Sequence, residues 1–191
     1  WEKLIMVRTY STMLELGTAA PHFSLPDVVS GKTITLEDFS TCRALLVMFI
    51  CRHCPYVKHI QSELSRLGAD YNDSGLGIVA ISSNDAEAYP ADSPESLKEF
   101  ALEEKLNFPI CYDQDQSVAR RYEAACTPDF FLFDANKRLV YRGQLDDSRP
   151  SSEIPVTGAD LRNAIDAVLS GSPCASEQKP SLGCNIKWKQ S

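Results

Sequence analysis

Ala44-Leu45-Leu46-Val47-Met48-Phe49-Ile50-Cys51-Arg52-His53-Cys54-Pro55 is the stretch that decides the reading of this chain. Ala44 to Ile50 is an unbroken apolar run, the pattern of a strand buried on both faces. Pro55 suits the first turn of a helix, where its missing N–H costs nothing. Beyond it Val57, Ile60, Leu64, Leu67 and Tyr71 recur three and four residues apart and form one apolar stripe. Two cysteines separated by two residues therefore stand where a buried strand hands over to a helix.

That placement suits a dithiol redox centre. Two sulfurs must be able to come within 2.03–2.05 Å of each other without rearranging the backbone. The field at a helix N-terminus and nearby positive charge favour thiolate over thiol. Arg52 and His53 lie inside the loop and are the expected tuning residues. Cys51 is expected to attack and Cys54 to resolve the mixed disulfide. Two other readings are a zinc site and an inert structural pair. Zinc would want four ligands, usually including a second closely spaced pair. Cys42, Cys111, Cys126, Cys174 and Cys184 supply no second Cys-x-x-Cys, and the histidines are only His22, His53 and His59. No metal and no cofactor is expected.

Working outward, Leu76 to Ser82 is a second buried run, so strand, helix and strand form a right-handed parallel unit. Ser93-Pro94-Glu95 opens a helix with a capping serine and an acid in its first turn. Leu97, Phe100 and Ala101 are its buried face. The acids Glu95, Glu99, Glu103 and Glu104 read as a solvated face. Phe108 to Tyr112 is a short strand and Gln116 to Ala124 a third helix. Phe130 to Phe133 and Arg138 to Arg142 flank a four-residue hairpin loop. Thr157 with Asp160 resembles a capping box for a last helix, which Gly171 stops. Phe23 to Leu25 and Thr33 to Leu36 are short strands before the motif. Residues 1–13 read as an N-terminal extension, 14–171 as one domain and 172–191 as a polar C-terminal tail.

A second element is Cys126-Thr127-Pro128, just before the strand Phe130 to Phe133. Proline there cannot donate to a ladder. A cis Thr127–Pro128 bond would expose backbone groups of Thr127 beside the dithiol, where an extended substrate segment could pair with them. Cys126 reads as a small buried packing residue, with a third redox thiol as the alternative. Cys42 and Cys111 read as core fillers. A tail carrying Cys174 and Cys184 could donate a resolving thiol, Cys184 being the stronger candidate, or could equally pack against the domain through Ile186 and Trp188.

Composition narrows the partners. The chain has 191 residues, of which 43% are hydrophobic, enough for one domain with a proper core. A net charge of -7 and the absence of a basic, aromatic-interleaved run argue against nucleic acid or an anionic membrane as partner. The longest apolar run falls far short of the about 20 residues that span a bilayer. Trp1 to Leu16 has no apolar stretch followed by a small-residue cleavage site, so a reducing, cytoplasmic setting is expected. The seven cysteines are then not a disulfide framework.

Gly17-Thr18-Ala19-Ala20-Pro21-His22-Phe23-Ser24-Leu25, Cys51-Arg52-His53-Cys54 and Thr127-Pro128 together resemble the thioredoxin-like superfamily. Within it they resemble the redoxin branch related to alkyl hydroperoxide reductases and thiol-specific antioxidant proteins. Ile81-Ser82-Ser83-Asn84-Asp85 and Gly183-Cys184-Asn185-Ile186-Lys187-Trp188 are similar to a peroxiredoxin-like subgroup with a Cys-x-x-Cys motif. The resemblance implies an α/β thioredoxin fold, a central mixed sheet flanked by helices. An N-terminal β extension and a helix–strand insertion between Asn84 and Tyr112 are added to it. It also implies disulfide exchange or peroxide reduction, with Thr127 and Pro128 positioning the substrate. Two departures stand out. The proline and the Thr or Ser that precede a peroxidatic cysteine fall on Ala44 and Met48 counted from Cys51, and on Val47 and Cys51 counted from Cys54. The buried acid that thioredoxins carry on the strand before the motif is missing from Ala44 to Ile50. The expected activity is therefore thiol–disulfide oxidoreduction on a protein or small-thiol disulfide, served by an external electron donor. Thiol peroxidase and non-catalytic redox sensor are the alternatives.

Overall fold

The computed structural model describes residues 8–190. Three short strands, β1 (Arg8–Tyr10), β2 (Ser24–Pro26) and β3 (Thr33–Thr35), precede β4 (Ala44–Phe49). Then follow α1 (Pro55–Asp70), β5 (Leu76–Ser82), α2 (Pro94–Glu103) and β6 (Ile110–Tyr112). The chain continues with α3 (Ser117–Arg121), β7 (Cys126–Thr127), β8 (Asp129–Asp134), β9 (Leu139–Gly143), α4 (Ala159–Ser170) and β10 (Leu182–Asn185). The part of the expected N-terminal extension before Arg8 lies outside the described residues.

The main sheet runs β6-β5-β4-β8-β9. β4 pairs parallel with β5 and antiparallel with β8, so the strand carrying the motif is central and buried along its whole length. Its alternate residues feed two cores. Leu46 and Met48, with Ile50 just past the strand, pack with Val57, Ile60 and Leu64 of α1, Leu97 and Phe100 of α2, and Leu161 and Ile165 of α4. Leu45, Val47 and Phe49 pack on the other face with Phe23, Val118, Tyr122, Phe131 and Phe133. This is the thioredoxin fold with an added helix and strand. Among the described residues no helix is long and apolar enough to cross a membrane.

The local signals hold where short-range chemistry decides. Pro55 opens α1, and the Ser93 hydroxyl accepts from the Ser96 N–H at 3.3 Å to cap α2. The expected Thr157–Asp160 capping box is absent. The buried Asp146 carboxylate instead accepts from the amides of Thr157 and Gly158 at 2.7 Å each, and Asp160 accepts from Gln144. α3 is shorter than expected because Gln116 at φ 61° and Glu123 at φ 52° leave the helical region at its two ends; the Gln116 side-chain amide donates to the carbonyls of Ser83 and Lys187.

The tail differs most. β10 lies between β1 and β7 in a second, three-stranded sheet, with Cys184 opposite both Arg8 and Thr127, and Asn185 opposite Cys126. Cys184 and Ile186 are buried. A four-residue strand containing Gly, Cys and Asn has no periodicity to advertise it. It forms because two edges are waiting for it.

Candidate active site

β4 ends under the motif, and the Cys51–His53 turn delivers the chain to α1. Cys54 is the N-cap of that helix; its carbonyl accepts from the amides of Val57 and Lys58 at 3.0 Å each. The Thr127–Pro128 bond is cis, and this segment faces both sulfurs. Cys51 Sγ lies 3.3 Å from Thr127 Oγ1, and Cys54 Sγ lies 3.2 Å from the Thr127 carbonyl oxygen. Cys184 Sγ lies 3.0 Å from Cys54 Sγ. The structure thus brings together Cys51, Cys54, Thr127, Pro128 and Cys184. Cys51 and Cys54 have no exposed surface, and Cys184 is 2% exposed.

These contacts set the charge. Burial, the neighbouring Cys54 and the Asp92 carboxylate push the Cys51 thiol well above its usual range. Cys54 moves the other way: its contacts with the thiols of Cys184 and Cys51 lower it, outweighing burial. The Val57 amide in the first turn of α1 and Thr127 lower it further. Cys184 is raised because its proton is held by Cys54 and because it is buried. These directions run against the loop read alone, which points to Cys51 as the thiolate.

The basic side chains of the loop are engaged elsewhere. Arg52 pairs with Glu99 at 2.8 Å and Glu103 at 3.0 Å, so two acids of the expected solvated face bind it. His53 Nδ1 donates to Asp92, and its ring stacks on Tyr89 with centroids 5.6 Å apart. Tuning of a Cys51 thiolate by Arg52 and His53 is therefore not what this geometry provides.

Asp92 is the residue that the sequence did not single out. It is fully buried and accepts from the amides of Arg52 (2.9 Å) and His53 (3.1 Å), from the His53 ring and from Asn84 (2.7 Å). Burial pushes its carboxyl up, but the bonds from His53 and Asn84 outweigh this and hold it below its ordinary range. It pins the motif loop from across the fold. Cys51 Sγ, a His53 nitrogen and an Asp92 oxygen lie within 4.8 Å of one another, the one such donor grouping among the described residues. Asp92 already accepts all the bonds above, so the grouping reads as a hydrogen-bonded anchor.

Cys126 is buried, with Sγ 3.7 Å from the Pro128 carbonyl, and burial pushes its thiol far up. Burial pushes Cys111 up to about 12. Cys174 is half-buried beside Ala164. The expected open edge at Thr127 is not open: β10 pairs with it. β8 carries a buried acid, Asp129, which faces Phe49 in the β4–β8 register. Neither of its oxygens has a well-formed hydrogen bond among the described residues, and burial raises it to about 8. The nearby amides of Ala125 and Phe130 and the Ser181 hydroxyl lower it only in part.

A central mixed sheet, two cysteines at the head of its first long helix and a facing cis-proline segment define a redoxin of the thioredoxin fold. The chain belongs to the AhpC/TSA family, whose model matches residues 16–142. Relatives there are oxidoreductases. Peroxiredoxin Bcp of Escherichia coli K12 is 30% identical over 109 residues, 57% of this chain and 64% of Bcp. Thiol-disulfide oxidoreductase ResA of Bacillus thuringiensis is 24% identical over 127 residues, 66% of this chain and 68% of ResA. The crystal structure of an uncharacterized conserved protein from Geobacillus kaustophilus is 54% identical with TM-score 0.95, covering 97% of this chain and 98% of that one.

Proposed function

We propose that this protein is a thiol–disulfide oxidoreductase whose exchanging pair is Cys51 and Cys54. The observation that carries the reading is the sulfur of Cys54 at the N-cap of α1, bonded by neighbouring thiols and facing Thr127. Cys54, the thiol that its surroundings lower, opens the substrate disulfide, and Cys51 displaces the bound half to leave a Cys51–Cys54 disulfide. An external thiol donor returns the pair to the dithiol. Substrates are protein or small-molecule disulfides; nucleic acid and membrane are not partners, and a reducing cytoplasm suits the resting dithiol.

The test is insulin reduction with dithiothreitol as donor, together with mapping of the disulfide formed after oxidation. Turnover that is lost in Cys54→Ser, with a Cys51–Cys54 bond in the wild type, is the expected result. No turnover and no such bond would overturn the reading. Peroxide reduction is the second reading, favoured by the Thr127 hydroxyl 3.3 Å from Cys51 Sγ. With Met48 buried in the core where peroxiredoxins keep a hydroxyl, stopped-flow oxidation by hydrogen peroxide should be slow.

A further inference from the structure

We propose that Cys184 is a third redox-active thiol of this site, resolving a mixed disulfide on Cys54 to leave a Cys54–Cys184 disulfide. The proposal rests on the reading of Cys54 as an exchanging thiol. Cys184 approaches from the far end of the chain, and three features hold it in place. β10 is paired on both sides, so Cys184 cannot drift along the strand without breaking its register with Arg8 and Thr127. Gly183 lets the strand approach closely: a Cβ there would stand 2.0 Å from the Thr127 carbonyl oxygen. The result is a sulfur–sulfur approach of 3.0 Å, and about 1 Å of further movement reaches bonding distance.

Cys54 therefore has two thiol neighbours, Cys51 from its own loop and Cys184 from the tail. It can bond only one at a time, so the two disulfides exclude each other. In the proposed step the Cys54 thiolate attacks one sulfur of the substrate disulfide, and the first substrate thiolate leaves. That thiolate takes the proton of Cys184. The Cys184 thiolate then attacks Cys54 Sγ, the bond from Cys54 to the substrate breaks, and the second substrate thiolate departs and takes a proton from water. Two electrons pass from Cys54 and Cys184 to the substrate. The product ties β10 covalently across the Thr127 edge, whereas the Cys51–Cys54 disulfide leaves β10 held only by its ladder. The choice of resolving thiol thus decides whether that edge is locked.

The experiment uses the full chain with oxidised glutathione as the substrate disulfide. Cys51→Ser should lose two thiols per chain, and peptide mapping should find Cys54 linked to Cys184. Cys51→Ser/Cys184→Ser should lose only one and keep a stable glutathione adduct on Cys54. Cys51→Ser/Cys184→Ala should behave as the second variant does, and far-UV circular dichroism checks that each is folded. A persistent adduct on Cys54 in Cys51→Ser, a bond from Cys54 to Cys126, or no reaction at Cys54 would each overturn the proposal. The parent reading is judged separately, on whether the wild type forms its Cys51–Cys54 bond.

Discussion

Gly183→Ala tests whether β10 is the cover of the thiol cluster. The new Cβ would stand 2.0 Å from the Thr127 carbonyl oxygen, 2.6 Å from its carbon and 3.2 Å from the Pro128 nitrogen. All three are backbone atoms of the segment that faces the sulfurs, so no side-chain rotation relieves the clash. Overpacking of this kind costs about 1–3 kcal/mol. The cost falls only on the state with β10 docked, because once the strand lifts away the added methyl meets nothing. The undocked population should therefore rise roughly 5- to 150-fold. Cys51 and Cys54 have no exposed surface, so their reaction with Ellman's reagent reports opening of the cover. The rate at these sulfurs, followed with excess reagent and assigned by peptide mapping, should rise by that factor while far-UV circular dichroism stays unchanged. Gly171→Ala is the control: it strains a positive φ of 76° at the end of α4, with nothing within 4 Å, and should leave the thiol rate alone. A folded Gly183→Ala whose thiols react at the wild-type rate would refute the assignment of β10 as the cover.

Three further outcomes follow from the electrostatics. Asp129 sits at about 8 in the folded protein against about 3.9 in an unfolded chain. Below about pH 4 both states hold its proton; as pH rises to about 8 only the folded state does, so stability should fall by about 1.4 kcal/mol per pH unit, roughly 4 kcal/mol by pH 7. Asp129→Asn should remove that slope, and urea-derived stability curves that stay parallel to wild type across this range would contradict it. Asp92→Asn removes a charge that raises Cys51, so ultraviolet thiolate titration should place Cys51 lower, with a stability loss of roughly 1–3 kcal/mol from the altered hydrogen bonds; an unmoved or raised Cys51 would sink the role given to Asp92. Arg52→Ala breaks pairs with two exposed glutamates, so it should cost no more than about 1 kcal/mol and leave the thiolate titration unchanged; a clear shift in that titration would restore Arg52 as a tuning residue.

The sequence by itself determined the parts whose causes lie within a few residues of one another. The apolar run of β4, the stripe of α1, Pro55 at its first turn and Ser93 at the cap of α2 all stand where they were read. The site was legible to the same depth: two cysteines at a strand–helix junction, and a proline segment whose place in the fold set it beside them. Tertiary structure decided the rest. β10 carries no pattern of its own and exists because β1 and β7 offer it edges. Asp92 looked like any loop acid until folding brought it 40 positions back along the chain to the Arg52 amide. No acid stands on β4, and the buried acid of the sheet, Asp129, lies on the neighbouring antiparallel strand. The opposite directions in which Cys51 and Cys54 are pushed have the same origin. A loop read alone shows only Arg52 and His53, but α2 and the Pro90–Asp92 turn take those partners away, and Cys184 arrives from 130 positions along the chain. Local propensity acts through bonds and neighbours along the chain, whereas a sulfur's charge depends on every dipole and acid that packs around it.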